Sequence, residues 1–132
     1  MTSELMKRWI VVLGVLGGLL LTVIGIRYLL IPEQAARLFG VPGRPAGYEL
    51  HYIIGIRNIW LGVLAVAFAA LRLWSALTLW FATGTIVCFA DAVIAASSGG
   101  RPTSVAFHVA CGLACAVLAV VAWKVGNRKE DA

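Results

Sequence analysis

Charge is what this chain has least of. Only 13% of its 132 residues are Asp, Glu, Lys or Arg, while 61% are apolar, against about 25% charged in soluble domains. That balance excludes an ordinary water-soluble domain and fits a membrane protein. The signatures of several enzyme classes are missing as well: there is no nucleotide-binding glycine loop, no H-E-x-x-H helix and no serine-nucleophile motif. The three cysteines, Cys88, Cys111 and Cys115, form no C-x-x-C. This excludes a thioredoxin-type dithiol and zinc-ribbon spacing.

What the chain does have is long apolar runs. Four of them, about Trp9 to Leu30, Leu50 to Leu71, Leu73 to Ala96 and Ser104 to Trp123, reach or exceed the roughly 20 residues a helix needs to cross a bilayer. A helix satisfies its own backbone hydrogen bonds where no water is available, so each run is predicted to span as a helix. The expected fold is all-α: one domain over residues 1–132, an integral membrane four-helix antiparallel bundle. Lys7 and Arg8 before the first run resemble a signal peptide, but the run is longer than an h-region and has no small-residue cleavage site. It reads as a retained anchor.

The connections show which ends lie together. Between the first two runs, Pro32 stands at a first-turn position and Gly40 at a helix stop. A short interfacial helix is expected over Pro32 to Phe39, followed by a Pro/Gly-rich turn to Gly47. Only a residue or two around Arg72 separates the second and third runs, predicting a tight antiparallel hairpin, and SSGGRPT is a flexible turn. Lys7, Arg8, Arg72, Lys124, Arg128 and Lys129 fall on one side, against Arg27, Arg37, Arg44 and Arg101 on the other. Under the positive-inside rule both termini are cytoplasmic and the protein is a multi-pass component of the cell membrane. Its net charge of +5 is then scattered over span ends rather than gathered on one face, so no nucleic-acid partner is predicted.

Six polar residues stand inside the apolar runs at depths that coincide. Arg57 lies roughly 10 Å below the start of the second run at 1.5 Å per helical residue, and Asn58 follows it. Asp91 comes late in the third run and His108 early in the fourth, with His51 at the edge of the second and Arg27 near the end of the first. Alternating helix direction brings all of them toward one face of the membrane. Intramembrane ionisable groups are costly and normally face the bundle interior in pairs, so Arg57 is expected to pair with Asp91, with His108 within reach of either. Arg57, Asn58, Asp91, His108 and His51 are the candidate ligand-binding residues, and Asp91 and His108 the candidate acid or base of any catalysis. The same layer equally serves as a lock that fixes helix register with no ligand at all.

Other features are less specific. Gly14, Gly18 and Gly25 in the first run and Gly55 and Gly62 in the second have spacings that let membrane helices approach closely. Packing within the chain is favoured over a dimer interface, and a homo-oligomer is allowed but not predicted. His108, Cys111 and Cys115 share a helical stripe, with Cys88 brought toward it by the adjacent run. Soft thiolates and imidazole suit copper or zinc, but buried cysteine usually acts as a small apolar filler, and no metal site is predicted. Trp60, Trp80, Phe81, Phe89 and Phe107 are as readily packing residues as the lining of a cavity.

The stretches IRYLLIPEQAARLFGVP and GIRNIWLG, with an Asp late in the third run and a His early in the fourth, resemble a family of small membrane proteins known as domain of unknown function 4267. That family is itself similar to the DoxX-like group of four-helix membrane proteins. The resemblance covers nearly the whole chain and implies a four-helix membrane bundle in which Gly55, Arg57, Gly62, Asp91 and His108 occupy the family's recurring positions. It implies no reaction and no known cofactor. The DoxX-like group has links to quinone-coupled oxidation of sulfur compounds, which implies a quinone or other lipophilic substrate by fold analogy alone. Three functions remain open: binding the polar end of a small lipophilic molecule; a membrane-embedded oxidoreductase or isomerase; and a structural or accessory subunit.

Overall fold

A computed structural model describes residues 3–128; Lys129, one of the charges counted above, lies outside them. Among the described residues the chain forms helices α1 (Ser3–Leu30), α2 (Pro32–Phe39), α3 (Glu49–Ala70), α4 (Trp74–Ser97) and α5 (Pro102–Asn127). The four longer ones are each long and apolar enough to cross a membrane. They make an antiparallel four-helix bundle, with α2 in the connection between the first two spans. The short helix occupies the expected residues, while α1 and α5 run beyond the apolar stretches that predicted them.

Proline and glycine set the boundaries. Pro32 and Pro102 open α2 and α5 at first-turn positions, where the missing N–H has no helical partner to lose. Gly40 closes α2 in the left-handed region at φ 116°, and the N–H groups of Gly40 and Val41 both donate to the Ala36 carbonyl, at 3.1 and 2.9 Å. A residue with a Cβ resists that conformation. Within the spans, hydroxyls bond to their own helix: Thr22 donates to Gly18 O (2.9 Å), Thr78 to Trp74 O (2.8 Å) and Thr85 to Phe81 O (3.0 Å). No polar hydrogen is then left facing hydrocarbon at those positions.

The spans associate as two close pairs, α1 with α3 and α4 with α5, whereas α3 and α4 touch only sparsely. This corrects the expected tight hairpin of the second and third spans. The turn around Arg72, which adopts a left-handed φ of 55°, reverses the chain, but packing is decided by the glycines. A Cβ placed on Gly18 would lie 2.6 Å from the Gly62 carbonyl oxygen, and one on Gly25 would lie 2.6 Å from that of Gly55. Only glycine lets the two backbones meet this closely, so α3 is drawn to α1 rather than to its chain neighbour. The glycine spacings are thus accounted for inside one chain.

The seam between the pairs is wider and is filled differently at its two ends. At the end carrying the termini, Ile10 of α1, Ala69 of α3, Trp74, Leu77 and Phe81 of α4, and Ala122 and Val125 of α5 form one buried cluster. All four spans meet there through large side chains. At the opposite end the buried cluster is Tyr28, Ala35 and Ala36, which belong to α1 and α2. The short helix takes the place a span would otherwise fill. Its closing Gly40 abuts α4, where an added Cβ would come within 2.6 Å of Ala95 Cβ.

Replacing Gly62 by Val is expected to separate α1 from α3 and to cost about 1–3 kcal/mol, the usual penalty of overpacking. Gly17→Ala, at a position with nothing within 4 Å of an added Cβ, is expected to be neutral or up to about 1 kcal/mol stabilising from helix propensity. Thermal unfolding in mild detergent, followed by circular dichroism, separates the two.

Candidate functional site

The polar layer expected from the sequence is only partly assembled. Asp91 is half-buried on α4, within electrostatic range of both His108 of α5 and Tyr28 of α1. His108 is buried, with 8% of its surface exposed. Its Nε2 lies 2.9 Å from the Phe39 carbonyl oxygen, which can only accept, so Nε2 carries a proton and donates it to this bond. The imidazole also packs on the Phe39 ring, centroids 4.5 Å apart. His108 therefore ties the last turn of α2 to the first turns of α5.

Arg57 is not part of this group. It is exposed on α3, flanked by the exposed Ile56 and Trp60. Ion pairs among the described residues join Lys7 to Glu4, and Arg37 and Arg44 to Glu33; Arg57 and Asp91 form none. The expected Arg57–Asp91 pair is therefore corrected. The physical reason is the glycine stripe: Gly55 and Gly62 bind α3 to α1, and Arg57, about 200° round the helix from Gly55 at 100° per residue, is turned outward. Eight residues into α3, about 12 Å along its axis, its guanidinium can extend toward the headgroup layer while its stem stays among apolar side chains.

Asn58 is half-buried on the same helix, away from His108 and its Phe39 contact. His51 is half-buried between Tyr28 and Tyr48, with ring centroids 6.0 and 5.7 Å away. Its Nδ1 is buried without a hydrogen-bond partner. Tyr28 stands between two environments: one part of it packs on His51 and another lines a cavity, so His51 lies behind the cavity wall.

That cavity, of about 340 Å³, occupies the α2 end of the wide seam. Leu20, Ile24, Arg27 and Tyr28 line it from α1, Ala35, Leu38 and Phe39 from α2, and Phe107 and His108 from α5. Leu20, Leu38 and Phe107 are each about half exposed and give the cavity an apolar rim. A separate open groove on the other side of α2, lined by Glu33, Arg37, Arg44, Tyr48 and Tyr52 among others, is polar and lies at the level of the loop.

Of the five candidate ligand-binding residues only His108 reaches the cavity wall, with Asp91 nearby; Arg27 from the expected polar layer and Phe107 from the aromatic residues also line it. Tyr28 and the α2 residues were missed. Their signal is present in PEQAARLFG, where Ala35, Ala36 and Phe39 fall on one face of a helix (i, i+1, i+4) and invite burial. No group of three or more metal-ligating side chains with suitable geometry occurs among the described residues.

His108→Ala is expected to remove the tie to Phe39 and destabilise the fold by about 1–3 kcal/mol, with faster hydrogen exchange confined to α2 and the start of α5. Arg57→Leu is expected to leave thermal stability in detergent unchanged or raised, because it removes an unpaired charge; a large loss would restore the buried ion pair.

Comparison with known proteins matches the chain over residues 18–123 to the model of a domain of unknown function, DUF4267. No curated protein and no solved structure matches it. The matched region takes in most of the chain, from the glycine contact at Gly18 through α2 and the cavity to the end of α5, and the protein belongs to the DUF4267 family.

Proposed function

We propose that this protein binds a small lipophilic molecule by its polar end in the cavity between α1, α2 and α5. It does so in a cell membrane, with both termini on the cytoplasmic side and the cavity in the outer part of the bundle. The orientation rests on the distribution of Lys and Arg. The binding reading rests on one observation: a cavity of about 340 Å³ whose walls are apolar except for Arg27, Tyr28 and His108. Mostly apolar pockets with a few placed polar groups are the usual form of small-molecule sites.

The polar layer is then read as more than a lock, although His108 does tie α2 to α5. A lock would pack its polar groups against one another, and here His108 borders open space. An enzymatic reading has one point in its favour, since His108 lines the cavity with Asp91 within electrostatic range. His108 would exchange protons through Nδ1, because its Nε2–H is held by the Phe39 carbonyl. A quinone-linked reaction rests on the DoxX-like resemblance alone and gains nothing from this geometry.

Leu20→Trp places an indole at the rim and is expected to empty the site without unfolding the bundle, because Leu20 is about half exposed. Native mass spectrometry of protein released from nanodiscs should show a lipophilic adduct on the wild type that Leu20→Trp lacks. Identical adducts on both proteins would defeat the binding reading.

A further inference from the structure

We infer that the molecule held in this cavity is a single-chain amphiphile with a carboxylate head, and that Arg27 is the residue that receives the head. The inference rests on the binding reading above and adds the ligand's charge and shape to it.

Arg27 sits in the last turn of α1, is half-buried, and contributes to the cavity wall. Among the described residues it enters no ion pair and no side-chain hydrogen bond. A guanidinium carries five donors and no acceptor, and it stays charged in any protein environment. No acidic side chain lines the cavity. The other two polar groups, the imidazole of His108 and the hydroxyl of Tyr28, supply no carboxylate to pair with the cation. A cavity with one cation, no anion and apolar walls is complemented by an anion with an apolar body.

Shape narrows the choice further. From Arg27 to Leu20 the wall runs along seven residues of α1, about 10 Å, so a head at Arg27 directs the rest of the molecule toward the membrane interior. The volume of about 340 Å³ corresponds to roughly a dozen groups of the size of a water molecule in the liquid. One medium-length acyl chain is of the size that fills such a slot. A carboxylate also matches the planar fork of arginine, which it can accept in bidentate fashion.

The test compares dodecanoate with its uncharged methyl ester, each titrated into the purified protein in nanodiscs and read by native mass spectrometry. Wild type is expected to bind dodecanoate at least about tenfold more tightly than the ester, the margin of one charge-assisted contact. Arg27→Gln should abolish that preference by weakening dodecanoate binding to the level of the ester, and Arg27→Lys should keep part of it. Circular dichroism confirms that each variant is folded. Equal binding of acid and ester by wild type, or a preference that survives Arg27→Gln, overturns the carboxylate assignment. If Leu20→Trp still removes both ligands in that case, the cavity reading stands without it. Binding of neither ligand, with Leu20→Trp indistinguishable from wild type, overturns both.

Discussion

The contact between two backbones, Gly18 against Gly62 and Gly25 against Gly55, governs the arrangement of everything else in this bundle. In a membrane the lipid tails are as apolar as the side chains, so helices gain little from hiding leucines and associate where surfaces fit closely. Glycines seven residues apart on each of two antiparallel helices provide such a fit. Once α1 and α3 are joined in this way, α4 and α5 form the second pair, and the seam between pairs must be filled by other means. Tryptophan, phenylalanine and leucine fill it at the end carrying the termini.

At the other end the filling is incomplete, and the incompleteness has a structural cause. The connection from α1 to α3 is long enough to include α2, which folds back over the seam and is held there by Gly40 against α4 and by His108 on the Phe39 carbonyl. An eight-residue helix with alanines on its inner face is a thin plug. The space beneath it becomes a cavity with an apolar rim, with Arg27, Tyr28 and His108 at its wall. The hydrogen bond of His108 anchors the plug, and the same residue contributes to the wall of the enclosed space.

Arginine 57 shows how a sequence reading by depth can go astray. Arg57, Asp91 and His108 do lie toward the same end of the bundle, as rise per residue required. Depth along a helix axis, however, says nothing about rotation around it. Rotation of α3 is set by Gly55 and Gly62 facing α1, and this carries Arg57 to the outside, away from Asp91. The glycine stripe and the arginine were legible as separate faces; which of the two would face inward was not. The residues that line the cavity from α2 were harder still to read, since a short helix after Pro32 looks the same whether it lies flat on the membrane or plugs the bundle.

The sequence by itself determined the class of the protein, the four spans and the position of the short helix between them. These follow from local quantities: the length of apolar runs, the first-turn prolines and the glycine that stops α2. Which helices pair, which way each one faces and whether the polar groups enclose space were decided only in the tertiary structure. Pairing depends on how closely two backbones can approach, and a cavity exists only where several helices fail to fill the gap between them. Neither is a property of any one stretch of chain.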